Sequence, residues 1–252
     1  MSKQARIRAH EVRLAQERAE QRRRNRIRVA VGAGGVVIAG LLVAIIAVVF
    51  TSASKDAGPS GKLVTPANLT ASGAIPVGSA TAPVTLEIYL DFMCPACGRF
   101  EQANAGELDR LIQAGTVKLE LRPMTFLDKT SQGTRYSTRA ANALATVADR
   151  APGSVWALSK ALYANQPQEG TPGLSDQRIV ALAVEAGVTQ EVADAFDAGI
   201  FKAWAAKSND DAFKAGIEGT PTVKINGKVF AGNLYTAGPL TEAIEQAAGG
   251  AK

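Results

Sequence analysis

The chain has 252 residues, 46% of them apolar and 20% charged, a balance that excludes a disordered polyelectrolyte and allows one large or two small folded domains. Its two cysteines stand three positions apart, which excludes a disulfide framework, and its single histidine, His10, lies in a basic N-terminal tail, which removes histidine chemistry from the globular part. The net charge of +5 belongs to that tail: ten cations and three acids precede Val29, and removing them from totals of 28 and 23 leaves 18 and 20 for the rest.

Residues 1–28 therefore read as a basic cytoplasmic tail. From Val29 to Phe50 no residue is charged, and at about 1.5 Å per residue such a run crosses a hydrocarbon core of roughly 30 Å. Residues 29–50 are predicted to form a transmembrane helix, since the long charged lead fits an anchor better than a cleaved signal. The cations before the span, set against Lys55 and Asp56 after it, put the N-terminus in the cytoplasm and the remaining chain outside. Nucleic acid is not an expected partner, because the tail's charge already has a topological use and no nucleic-acid fold accompanies it.

Residues 51–82 are rich in Ser, Ala, Gly, Thr and Pro and read as a flexible linker, with Gly58-Pro59-Ser60-Gly61 as its clearest break. Residues 83–252 form the predicted domain. Val84 to Leu90 is β-branched and aromatic enough for a largely buried strand. Phe100 to Ile112 has helical spacing, Gly115 stops it, and Val117 to Leu121 alternates as a second strand ending near Pro123. From about 131 to 217 the pattern is helical. Tyr136, Ala140, Ala143, Leu144 and Val147 share a face, as do Val155, Leu158 and Leu162, and then Ile179, Leu182, Ala183 and Ala186. Trp156, Tyr163 and Trp204 read as core residues. Past Pro221, Thr222–Ile225 and Lys228–Ala231 flank Asn226-Gly227, a pair suited to a type I′ hairpin turn. Pro239 to Ala248 closes the chain as a helix.

The chemistry-bearing motif is Cys94-Pro95-Ala96-Cys97. Disulfide exchange needs one accessible cysteine that ionises readily and a second near enough to resolve the mixed disulfide. Two intervening residues at a helix start supply both. The unsatisfied N–H groups and positive dipole end favour the thiolate of Cys94, while Cys97 sits one turn in. Pro95 fits the first turn, where it loses no hydrogen bond, and with Ala96 it is placed to tune the pair. Zinc would want four ligands, so no metal site is expected. A purely structural disulfide would close too short a loop to stabilise much.

The run Asp91-Phe92-Met93-Cys94-Pro95-Ala96-Cys97-Gly98-Arg99-Phe100, the helical block and then Gly219-Thr220-Pro221-Thr222 before a hairpin resemble the DsbA-like family of thioredoxin-fold oxidoreductases. The resemblance covers about residues 75–248 and implies an α/β, thioredoxin-like fold with an inserted helical domain, here preceded by one transmembrane helix. It also implies a cis Pro221 facing the cysteines and a Thr220 backbone that hydrogen-bonds the substrate. Reduced exported proteins are the implied substrates. The implied membrane partner is quinone-linked, DsbB-like or vitamin K epoxide reductase-like, and returns the pair to the disulfide; no cofactor is implied. Two positions depart from the family pattern. Ala96 stands where the best known oxidants carry histidine, so electron flow in the reductase or isomerase direction stays open beside oxidation, as does a redox-inert binding module or chaperone. Ile88 stands six residues before Cys94, where relatives often bury an acid as a proton acceptor; Glu87 and Asp91 are nearby substitutes for that role, with an ordinary solvated carboxylate the favoured reading of either.

Overall fold

The computed structural model describes residues 61–250; the basic tail, the apolar run 29–50 and the first part of the linker lie outside the described residues. Among the described residues no helix is long and apolar enough to cross a membrane.

Five strands form one mixed sheet: β1 (Ile75–Val77), β2 (Val84–Leu90), β3 (Val117–Pro123), β4 (Thr222–Ile225) and β5 (Lys228–Val229), in the spatial order β1-β3-β2-β4-β5. β2 and β3 run parallel, joined by the crossover helix α1 (Pro95–Gln113), the connection that parallel neighbours require. The other pairs are antiparallel. In the shared register Leu86 lies opposite Leu119 and Ile225, and Ile88 opposite Leu121 and Val223. The sheet centre is thus a continuous apolar layer, and Ile88 is part of it rather than a place for an acid.

The hairpin between β4 and β5 turns at Asn226 and Gly227, both at positive φ (48° and 80°), as a type I′ turn demands. Asn226 adds a side-chain tie, accepting from the Thr85 N–H at 2.8 Å. The final helix, α7 in chain order (Pro239–Gly249), buries Leu240 and Ile244.

Between β3 and β4 stands the helical insertion: α2 (Tyr136–Arg150), α3 (Val155–Ala164), α4 (Asp176–Glu185), α5 (Gln190–Asp194) and α6 (Lys202–Lys214). α2 is its axis. The spacing predicts one buried face, yet every residue from Ala140 to Ala148 is buried. Alanines make this possible, because small side chains let α3, α6 and the α5 segment approach from several sides. The polar Asn142 survives there because both ends of its amide are used, donating to the Phe196 carbonyl and accepting from the Phe201 N–H, each at 3.0 Å.

The linker assignment of residues 51–82 needs correction at its C-terminal end. Ile75–Val77 pairs with β3, and Ala74 and Ile75 are fully buried. Further back, Asn68 donates to the carbonyls of Ala148 and Asp149, and the Ala67 N–H donates to Asp149. The compositional signal of a tether and the demand for an edge strand coexist, since three residues are too few to show alternation.

Candidate active site

Residues 91–94 carry the chain from β2 into α1, and helix α1 begins at Pro95 with Cys94 as its cap. The Cys94 N–H donates to the Asp91 carbonyl at 3.0 Å, and the Gly98 N–H donates to the Cys94 carbonyl at 3.2 Å, so the first cysteine is fixed by turns on both sides. Cys94 as a residue is 9% exposed, a narrower opening than position alone predicts, while Cys97 is 1% exposed. The two thiols are not bonded to each other.

That asymmetry sets their acidities. The Cys94 thiol is held far below its ordinary value, to about 5, first by a hydrogen bond from the Cys97 thiol. Burial opposes this. The Thr220 hydroxyl and the N–H groups of Cys97 and Ala96 at the open helix end support it. Cys97 is pushed in the other direction, well above the usual range, by burial first and then by the neighbouring Cys94. One sulfur is ready as a thiolate and its neighbour is held protonated.

Across from the pair, the Thr220–Pro221 peptide is cis. As a thiol, Cys94 donates to the Thr220 carbonyl at 3.4 Å. The structure thus brings Cys94, Cys97, Thr220 and Pro221 to one place, with Pro95 and Ala96 forming the first turn between the sulfurs.

Asp91 is not the solvated carboxylate that composition suggests. It is fully buried. One oxygen accepts from the Met93 N–H at 2.8 Å and the Ser137 hydroxyl at 2.7 Å; the other accepts from the Leu127 N–H at 2.9 Å. Three donors explain how a carboxylate can sit there, although burial still raises its pKa to about 7. Glu87, by contrast, is only half-buried on β2 and ion-paired with Arg122 at 3.0 Å.

This geometry has close counterparts. A thioredoxin family model matches residues 70–246 of the chain. The chain belongs to the thioredoxin family. Among solved structures, the thiol-disulfide oxidoreductase MdbA of Actinomyces oris superposes with a TM-score of 0.61 at 27% identity, over 77% of this chain and 97% of that one. Disulfide bond formation protein D of Bacillus subtilis is 28% identical over 175 residues, which is 68% of this chain and 75% of that protein. The serine/threonine-protein kinase PknE of Mycobacterium tuberculosis is 34% identical over 96 residues, but the chain spans only 17% of its length. Within the thioredoxin family the helical insertion and the Cys94–Cys97 pair place this member among the DsbA-like disulfide oxidoreductases.

Several residues of this thioredoxin-family site carry no local sequence signal. Gln166, just beyond α3, reaches over the cysteine loop and donates to the carbonyls of Phe92 at 3.1 Å and Cys94 at 2.9 Å. Gly98 leaves it room: a methyl group there would stand 2.1 Å from the Gln166 side-chain oxygen. Tyr163 is core, as its size predicts, and also a tie. Its hydroxyl donates to the Asp91 carbonyl at 3.3 Å and its ring lies 5.0 Å from that of Phe92. Glu101, one turn beyond Cys97, is 7% exposed. A buried carboxylate on a helix looks like any surface glutamate in a sequence, since only the packing of α3 over α1 encloses it.

Proposed function

We propose that the protein is a membrane-anchored, extracytoplasmic thiol:disulfide oxidase that forms disulfides in exported proteins through Cys94 and Cys97. The unequal pair carries this reading. A substrate thiolate attacks the oxidised pair at Cys94, the more accessible sulfur, and Cys97 leaves. A second substrate thiolate then attacks the substrate sulfur of the mixed disulfide and expels Cys94, whose depressed pKa makes it the better leaving group. Two electrons pass from the substrate dithiol to the pair. Thr220 and Pro221 supply the surface against which the substrate chain lies, and the Thr220 carbonyl beside the sulfur is its natural hydrogen-bond acceptor. A membrane quinone-linked protein, DsbB-like or vitamin K epoxide reductase-like, is the proposed electron acceptor. The uncharged run 29–50 and the cations ahead of it support the anchor and its orientation.

Reduction by equilibration with glutathione tests the direction. Reference potentials run from about −270 mV for thioredoxin to about −120 mV for DsbA, and this pair is expected between them, nearer the oxidising end. Ala96→His should raise the potential further, because an imidazole beside the helix start favours the thiolate. A wild-type potential below thioredoxin's excludes the oxidase role and favours the reductase reading that Ala96 leaves open. Protease added to spheroplasts should digest the domain; full protection contradicts the topology.

A further inference from the structure

A cavity of about 620 Å³ opens between α1 and α3, walled by Pro95, Gly98, Glu101, Lys160, Tyr163 and Gln166. It holds acceptors with nothing to accept. Glu101 is more than nine-tenths buried, yet its carboxyl makes no hydrogen bond or ion pair among the described residues, and its Oε1 is shut away without a partner. An unpaired carboxylate in such a place is costly. Gln166 contributes the second acceptor. Its side-chain nitrogen is spent on the carbonyls of Phe92 and Cys94. That leaves its oxygen against Gly98, where the missing side chain gives it room.

The cations of the cavity are already engaged. Lys160 gives its ammonium to both oxygens of Asp109, at 2.8 Å and 2.6 Å. Arg99, at the rim, lays its guanidinium over the Tyr235 ring, 5.0 Å from the centroid. The unmet demand is therefore for donors and positive charge. A guanidinium or ammonium group offers only donors, whereas a carboxylate and an amide oxygen only accept.

The cavity also lies where a substrate chain must pass. Pro95 follows Cys94 directly, and Gln166 joins the cavity wall to the Cys94 carbonyl at 2.9 Å. A polypeptide bonded to the Cys94 sulfur starts at its mouth.

We infer that this cavity is a subsite for a basic side chain of the substrate polypeptide, an arginine or a lysine, received by the Glu101 carboxylate with the Gln166 side-chain oxygen as second acceptor. The inference rests on the oxidoreductase reading and names a substrate class for it: exported chains with a basic residue close to the reacting cysteine. Burial raises Glu101 to about 7, with Lys160 lowering it and Asp109 raising it. A bound cation favours the carboxylate, so binding releases a proton and strengthens as pH rises through about 7. Tyr163, the neighbouring hydroxyl on α3, stays protonated over that range because burial holds it well above its usual value.

The test measures how fast dicysteine peptides reduce the oxidised full-length protein, with arginine, lysine, norleucine or glutamate placed at successive positions on either side of the first cysteine. At the best position the basic peptides should outpace the norleucine peptide by about 10-fold. Glu101→Gln should bring that ratio close to one; because the ratio is taken within one protein, a general effect of the substitution on exchange cancels. A basic preference that is equal at every position and survives Glu101→Gln is long-range attraction and overturns the subsite. A preference for glutamate overturns it too, by making Arg99 and Lys160 the ligand groups. Equal rates for all the peptides overturn the subsite and leave the oxidoreductase reading intact, whereas absence of exchange with every peptide overturns both. Should Glu101→Gln fail to fold, the pH dependence of the wild-type ratio decides. The peptides share their cysteines, so thiol ionisation divides out; a ratio that climbs as pH passes about 7 supports the subsite, and a flat ratio overturns it.

Discussion

The cysteine pair is held from two sides that do different work. On one side the Thr220–Pro221 turn, delivered by the sheet, meets the reactive sulfur itself. On the other, the helical insertion touches no sulfur through any hydrogen bond among the described residues; Ser137 holds the Asp91 carboxylate, Tyr163 the Asp91 carbonyl, and Gln166 the carbonyls of Phe92 and Cys94. The first side sets what the thiolate meets and the second sets where it stands. A dithiol at a helix end is common chemistry, so the insertion contributes rigidity that a bare strand-helix unit lacks.

The sharpest way to break this division is to remove the nucleophile. Cys94→Ser should lower exchange by at least about 1,000-fold with the fold unchanged, read by reduction of insulin and by circular dichroism. Cys97→Ser should instead accumulate dithiothreitol-sensitive complexes with exported proteins on non-reducing gels. Trapping by Cys94→Ser as strong as by Cys97→Ser would reverse the assignment of attacking and resolving sulfurs.

Asp91→Ala tests the insertion side. It strands three buried donors, so a loss on the order of 3 kcal/mol is expected in urea denaturation of the reduced protein. Because the folded carboxyl titrates near 7 against an ordinary value of 3.8, the native state holds its proton over a pH range in which the unfolded chain has lost it. Asp91 therefore makes stability fall as pH rises from about 4 to about 7. Asp91→Asn should flatten that slope even where it costs stability, and an unchanged slope would show that Asp91 does not titrate there.

A smaller effect is expected at Gln166→Ala, about 1 kcal/mol for two hydrogen bonds to carbonyls that water can partly replace. Its Cys94 alkylation rate should stay within about twofold of the wild type, since the amide positions backbone and does not touch the thiolate. A shift of many-fold would mean that the insertion tunes the sulfur directly. The mildest probe keeps the wild-type sequence: iodoacetamide should label Cys94 with a rate that rises as pH passes about 5 and levels toward neutrality, while Cys97 stays unlabelled.

The sequence by itself determined what is written in short-range terms. The hairpin is legible because only a few residues tolerate two successive positive φ values, and Asn226-Gly227 is such a pair. The position of Cys94 at a helix start follows from a strand, a Pro95 and an apolar spacing that are all within twenty residues of it. Only the tertiary structure decided the roles of Asp91, Gln166 and Glu101, because each is an ordinary polar residue until a distant segment closes over it. Ser137 and Leu127 turn Asp91 from a surface acid into a buried anchor, and α3 turns Glu101 from a solvated side chain into an enclosed one. The edge strand Ile75–Val77 was hidden for the same reason: its three residues are extended because β3 offers them an open ladder, not because their own pattern requires it.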